Sequence, residues 1–105
     1  MPPYSNHLVV LLAGGVGGAR AARSLTTRLG PEEVTVIGNV GDDDLRYGVP
    51  VSADLDTLLY TLAGVEGSEG WGIRDDTAVT MGHLAALGIE TTFRLGDRDL
   101  ATCLH

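Results

Sequence analysis

The stretch Leu8-Val9-Val10-Leu11-Leu12-Ala13-Gly14-Gly15-Val16-Gly17-Gly18 decides the fold. The continuous apolar run from Leu8 to Ala13 is the pattern of a strand buried on both faces. It stops at a glycine cluster, and Ala19 to Gly30 then reads as a helix. Ala22, Leu25 and Leu29 fall on one face of it, with Arg20, Arg23 and Arg28 placed elsewhere. Gly30-Pro31 ends it with a C-cap glycine and a proline. Val34-Thr35-Val36-Ile37 is a second strand. Strand, glycine turn, helix and strand in this order predict a right-handed βαβ unit with parallel strands.

Working outward, residues 1–7 (MPPYSNH) are polar and carry two prolines, so a disordered or loosely attached start is expected. After the second strand comes an acidic loop, Asn39-Val40-Gly41-Asp42-Asp43-Asp44, and then a short extended piece, Val49-Pro50-Val51. Ser52 or Asp54 caps a helix through Leu55, Leu58, Leu59 and Leu62, closed by Gly64. A glycine-rich loop spans 64–72. Asp75 or Asp76 caps a further helix through Val79, Met81, Leu84 and Leu87, ended by Gly88. Thr91 to Leu95 reads as a third strand, and Gly96-Asp97 opens a last helical segment that stops at His105. That segment has barely two turns and no C-cap signal. The expected fold class is therefore α/β: a Rossmann-like three-layer domain with a mostly parallel sheet, truncated within an element. Residues 8–105 are expected to be the N-terminal, incomplete part of one domain.

Composition narrows the chemistry. The 105 residues are 44% hydrophobic, which suits one small domain. The longest apolar run falls far short of the roughly 20 residues of a membrane helix, so no membrane partner is expected. The N-terminus has neither a basic stretch nor a long apolar region with a cleavage site, so no secretory leader is expected. A single cysteine, Cys103, forms no internal disulfide, and a reducing, cytoplasmic setting is the expectation. With 14 acidic against 7 basic residues the net charge is −7, which excludes the electrostatic footprint of a nucleic-acid binder. All basic residues are arginine. The phosphate loop that ends in Lys-Ser/Thr is thereby excluded, because its mechanism needs a lysine ammonium. Fifteen glycines are about twice the usual share.

Four motifs carry chemistry. In Ala13 to Arg20, glycines between strand and helix leave main-chain N–H groups uncovered, and the helix N-terminus adds positive potential; phosphate or pyrophosphate is the expected ligand. The bland alternative is a tight turn that only packs. The dinucleotide fingerprint G-x-G-x-x-G does not fit, because from Gly15 its third glycine falls on Arg20. An arginine in the first helical turn opposes the dipole unless it faces an anion. In the second motif, Asn39 to Asp44, neighbouring carboxylates at the carboxyl edge of the sheet suit Mg²⁺; a solvated acidic loop is the alternative. Asn39 stands where a nicotinamide enzyme would carry an acid for the ribose.

In the third motif, Ser52 to Thr57, Asp54 reads as an ordinary cap or first-turn acid, which leaves Asp56 free to meet a ligand. In the fourth, Arg94 to Asp99, alternating charges read as surface ion pairs, or Arg98 binds a phosphate or a polar ring edge in bidentate fashion. Trp71, between glycines, could stack on a planar ligand; plugging the core is the favoured reading. His7, His83, His105 and Cys103 show no metal or triad spacing and read as inert.

In this order the motifs resemble the 2-phospho-L-lactate transferase family of deazaflavin coenzyme biosynthesis. The matching stretches are LLAGGVGGAR, NVGDDD, VSADLDTLLYTLAG, EGWGI and FRLGDRDLAT, from about Leu11 to Thr102. The actinobacterial, phosphoenolpyruvate-type branch looks closest. The resemblance implies a guanosine diphosphate-linked donor carrying lactate or enolpyruvate on its outer phosphate, and a deazaflavin acceptor. The ribityl hydroxyl attacks the outer phosphorus and GMP leaves, with Mg²⁺ assisting, in coenzyme F-420 biosynthesis. Carried over by motif, Gly14, Gly15, Gly17 and Gly18 face the donor phosphates, with Asn39 beside them among the substrate-binding residues. Asp42 or Asp43 meets the metal or its waters. Asp56 and Arg98 contact the deazaflavin, and Asp56 is also the candidate to accept the ribityl proton or to bind metal. The family tends to dimerise.

The chain departs from the family pattern in having Ala53 where proline is usual and Cys103 where histidine is common. It is also much shorter than family members, so inactivity of the 105 residues alone is expected. Rival readings are a nucleotide-sugar-binding regulator of a related family, disfavoured by the Ala53 to Thr57 motif, an NAD(P) oxidoreductase, disfavoured by Arg20 and Asn39, and an inactive fragment.

Overall fold

A computed structural model describes residues 8–105. The expectations for residues 1–7, His7 included, lie outside the described residues. The chain is α/β, and the βαβ unit is present. Strands β1 (Val9–Ala13) and β2 (Val34–Gly38) pair in parallel, in register from Val9 opposite Val34 to Ala13 opposite Gly38. Between them run helix α1 (Gly15–Leu29) and a 3-10 turn at Pro31–Glu33. The parallel pair and its crossover helix are the part of a Rossmann-like domain that the described residues contain.

Burial of β1 differs from expectation. Leu11 packs inward with Val36, against a core of Ala13, Ala19, Ala22 and Leu58. On the other face Val10, Leu12 and Ile37 are 54%, 77% and 52% exposed. The strand is thus buried on one face. Among the described residues the helices that meet this core, α1 and α2 (Ala53–Ala63), share a single side of a pair only two strands wide. Side chains alternate across a strand, so the run of six apolar residues divides into an inner and an outer set. Small residues set the inner spacing. A Cβ on Gly18 would lie 3.0 Å from the Ala13 Cβ, and one on Gly38 would lie 2.2 Å from Leu55 Cδ2. Glycine at these two sites lets α1 lie close on β1 and α2 cross the end of β2.

A hairpin occupies the segment read as loop plus extended piece. Strands β3 (Asp44–Arg46) and β4 (Val49–Val51) pair antiparallel around Tyr47-Gly48. Both turn residues have positive φ, 53° and 74°, the conformation that suits two-residue hairpins. Asp44 therefore belongs to a strand and not to the acidic loop. The predicted strand Thr91–Leu95 is not formed. Its apolar residues are held by packing without a ladder: Leu95, 2% exposed, shares a second core cluster with Val51 and Met81, and Phe93 lies against it.

Helices α3 (Val79–Ala86) and α4 (Asp97–Leu104) complete the chain. The expectation that Asp75 or Asp76 caps α3 is corrected by an exchange of caps. The Asp97 carboxylate accepts from the Val79 and Thr80 N–H groups at the start of α3, at 3.0 and 2.8 Å. The Asp76 carboxylate accepts from the Arg98 and Asp99 N–H groups at the start of α4, at 2.8 and 3.1 Å. Each helix is capped by the acid that precedes or opens the other, so the two N-termini are locked side by side. Among the described residues no helix is long and apolar enough to cross a membrane.

Candidate active site

Parallel β1 and β2 deliver their carboxyl ends to one edge, the usual position of ligands in open α/β sheets. Gly14 caps α1 with extended backbone (φ −145°, ψ 145°), no side chain caps the helix, and its first turn holds no acid. The leading N–H groups therefore keep their hydrogen-bonding capacity at the positive end of a 15-residue helix. The glycines divide the work. Gly15 adopts φ 67°, and a Cβ at Gly15 or Gly17 would meet nothing within 4 Å, while Gly18 is needed for packing on Ala13.

Asn39 ties this edge together. Its N–H donates to the Ala13 carbonyl at 2.9 Å, extending the β1–β2 ladder by one residue. Its Nδ2 donates to Asp54 Oδ2 at 2.8 Å, and its Oδ1 accepts from the Gly41 N–H at 3.0 Å. Neither Ser52 nor Asp54 caps α2 through its side chain: Ser52 occupies the cap position, its hydroxyl donates to Asp43 Oδ2 at 3.2 Å, and Asp54 serves Asn39 instead.

Behind this edge lies a cavity of about 400 Å³ whose walls include Asp56, Tyr60, Trp71, Phe93, Leu95 and Asp99. Asp56 and Tyr60 share a face of α2 because they are four residues apart. The Tyr60 hydroxyl, on a residue only 4% exposed, donates to Asp99 Oδ1 at 2.6 Å. The Cys103 thiol donates to Asp56 Oδ2 at 3.6 Å. The oxygens of Asp56 and Asp99 and the sulfur of Cys103 lie within 4.8 Å of one another.

Charge is disfavoured in this cluster. Burial raises the Asp56 pKa above the ordinary carboxylate value; the Cys103 hydrogen bond opposes this, and the charges of Asp99 and Asp43 add to it. Burial likewise raises Asp99, against the Tyr60 hydrogen bond and with a contribution from Asp76. The Cys103 thiol is pushed up to about 11 by burial and by both carboxylates, and Tyr60 is raised well above the usual phenol value, mainly by burial. A carboxylate in such surroundings has a strengthened appetite for a proton or a cation.

The family profile described as 2-phospho-L-lactate transferase CofD matches residues 9–104. The chain belongs to the CofD family. Similar proteins are named phosphoenolpyruvate transferase: 48% identical in Kitasatospora aureofaciens over 91% of this chain, and 48% in Streptomyces griseus over 90%. One from Thermobifida fusca is 45% identical over 90% of the chain. These matches cover 31%, 30% and 32% of the relatives, so the chain spans about a third of their length.

Within this CofD-family segment the residues singled out from sequence separate into groups. Gly14, Gly15, Gly17, Gly18 and Asn39 meet at the strand edge. Asp43 is linked to that edge through Ser52 and acts electrostatically on Asp56, whereas Asp42 is exposed on the turn. Asp56 alone of the set lines the 400 Å³ cavity. Arg98 does not join it: its guanidinium donates to the Asp75 carbonyl at 3.0 Å and lies 3.9 Å from Asp76. Helix α1 starts at Gly15, before the Ala19 expected from sequence, so Arg20 sits in the second turn and needs no anion to excuse it from the dipole.

Two functional candidates escaped the sequence reading, and a third is corrected. Trp71, favoured as a core plug over a stacking residue, is 53% exposed on the cavity rim and does not plug the core. Asp99 enters the cavity in place of Arg98, and Cys103, read as inert, touches Asp56. The i, i+4 spacing of Asp56 and Tyr60 was a usable signal. Nothing local in the sequence pairs Asp99 with either, because that contact depends on how α4 docks.

Proposed function

We propose that this segment carries the donor-phosphate cradle and the acceptor pocket of a transferase that moves a phosphoenolpyruvyl or phospholactyl group to a deazaflavin in coenzyme F-420 biosynthesis. The donor is guanosine diphosphate-linked and the acceptor atom is the ribityl hydroxyl oxygen. That oxygen bonds to the outer phosphorus, the bond from that phosphorus to the bridging oxygen breaks, and GMP leaves. Membership of the CofD family and the names of the relatives support the reaction class. The observation that carries the reading is the cavity itself. Aromatic walls from Tyr60, Trp71 and Phe93 suit a planar ring, and Asp56 stands in the wall with a raised pKa.

In this reading the leading amides of α1 bind the diphosphate, and Gly17 keeps the approach clear of side chains. Asp56 accepts the ribityl proton as the new bond forms, and Asp99, whose carboxyl accepts from the Tyr60 hydroxyl, forms another part of the pocket wall. Phosphoryl transfer needs positioning and charge neutralisation more than a covalent nucleophile. The family implies Mg²⁺. The acids present fit a hard cation, because Asp42 and Asp43 are adjacent carboxylates in one turn and the charge of Asp43 reaches the Asp56 carboxylate. When bound, the ion would neutralise charge on the diphosphate; Asp42 or Asp43 would hold it or its waters.

Titration calorimetry tests the proposal. With Mg²⁺ present, GDP and a ribityl-bearing deazaflavin should each bind, and a uridine sugar nucleotide should not. Binding of the uridine nucleotide in preference to GDP would replace the transferase reading by that of a nucleotide-sugar regulator.

A further inference from the structure

A second cavity, of about 240 Å³, opens beside α1 on the side of the loop that follows α2. Arg20, Arg23 and Arg74 all line it, with Thr61, Glu66 and Ser68. In a chain of net charge −7 with seven basic residues in all, three guanidiniums around one small space reverse the local sign. The one carboxylate in the lining is Glu66, and it is committed to Arg23, whose Nη1 donates to its two oxygens at 2.9 and 2.7 Å. Arg74 donates to the Gly64 carbonyl at 3.0 Å through Nη2 alone, and a guanidinium has five N–H donors. Arg20 makes no ion pair among the described residues.

The loop is shaped to keep Arg20 in place. Gly70 has φ 93°, and a Cβ there would lie 2.4 Å from Val16 Cγ1 and 3.3 Å from Arg20 Nη2. At this φ a side chain at 70 is strained, and its Cβ would also have to displace the Val16 methyls and the Arg20 guanidinium. The gathered positive charge lacks a matching anion among the lining residues.

We propose that Arg20, Arg23 and Arg74 form a binding site for a phosphoryl dianion, separate from the Asp56 cavity. The space is ample for phosphate or diphosphate. Arginine forks match phosphate oxygens in bidentate fashion. Arg20 and Arg74 supply the free donors, and Arg23 with Glu66 fixes the far wall.

The test is calorimetric titration of the 105-residue chain with inorganic phosphate, pyrophosphate and GDP, paired with NMR spectra of the arginine Nε–H and glycine amide signals. Saturable binding is expected, with Arg20 and Arg74 signals shifting. Arg20→Gln should weaken it by about tenfold, the loss of one charge-assisted contact. Arg46→Gln removes the same charge at a residue stacked 4.5 Å from the Phe93 ring and should change affinity less than about twofold. Arg20 makes no hydrogen bond or ion pair among the described residues, so its replacement should leave the fold standing even if Arg74→Gln does not. GDP binding that matches pyrophosphate and shares its Arg20 dependence means the group arrives on a nucleotide. Phosphate binding as tightly as either means a free anion. Absence of binding overturns the proposal. So does binding that moves only the Gly15 to Gly18 amides and ignores Arg20→Gln; that result would leave the donor cradle of the transferase reading intact.

Discussion

In the proposed reading the strand edge and the Asp56 cavity reach function by opposite means. At the edge, main-chain N–H groups would do the work with side chains kept away: Gly14, Gly15, Gly17 and Gly18 lie within five consecutive positions. In the cavity, side chains do the work, and they come from α2, from the loop carrying Trp71, from the Phe93 segment and from α4. A site made of backbone is written contiguously, because neighbouring amides are neighbours in sequence. A site made of side chains is written in fragments that only packing assembles. The contrast also separates two kinds of damage. Substitution at the edge acts through space and backbone, whereas substitution in the cavity acts through charge.

The largest effect should come from the cavity. Asp56→Asn, made in a full-length transferase carrying this segment, should lower the transfer rate by about 100-fold or more while the circular dichroism spectrum stays unchanged. A rate within a factor of two of the parent would remove Asp56 from the proton path and leave the cavity as a binding feature alone.

Next comes the edge, where stability and binding should part. Gly18→Val drives a branched side chain into the Ala13 backbone, whose atoms lie 3.1 and 3.2 Å from a Cβ at that site. It should cost about 1–3 kcal/mol in urea unfolding. Gly17→Ala meets nothing within 4 Å, so stability should hold while GDP affinity falls. Equal destabilisation by both would mean that the cluster is packing throughout, and the difference between edge and cavity would disappear.

Legibility in the sequence follows the same division. The parallel βαβ unit, the C-terminal glycine of α2 and the starts of α2 and α4 were readable, because apolar period, caps and glycine punctuation act over a few residues. Tyr47-Gly48 hid a hairpin, because tyrosine is an unusual residue at positive φ. Phe93 and Leu95 alternate like a strand, yet among the described residues no partner strand reaches them. Arg98, expected to face a ligand, lies outside the Asp56 cavity for a physical reason. The Asp76 cap fixes the first turn of α4, and in that setting Asp99 faces Tyr60 while Arg98 turns to Asp75 and Asp76.

That cap gives a smaller prediction. Asp76→Ala leaves the Arg98 and Asp99 N–H groups without their acceptor and should lower stability by about 1 kcal/mol. It should also loosen Asp99, and so reduce acceptor binding without touching the acceptor. Unaltered acceptor affinity alongside the stability loss would show that Asp99 is held by Tyr60 alone.

The smallest effect is a slope against pH. Asp56 and Asp99 have folded-state pKa values above the ordinary 3.8, chiefly because burial disfavours their charge. Their contribution to stability is complete below the ordinary value and is lost as pH rises through the raised, folded one. Asp97 runs the other way. Hydrogen bonds, first from the Thr77 hydroxyl and then from the start of α3, hold its pKa well below the ordinary range. Its contribution is present above the ordinary value and is lost as pH falls toward the depressed one. Unfolding midpoints should therefore decline from about pH 4 through the mildly acidic range, after Asp97 has reached its full contribution. Asp99→Asn keeps an oxygen for the Tyr60 hydroxyl and removes one of the two groups that titrate there. Its midpoint should exceed the parent's at neutral pH and should decline less over that range. Parallel curves for parent and variant would mean that Asp99 is not the buried acid, and the cavity would then owe its acidity to Asp56 alone.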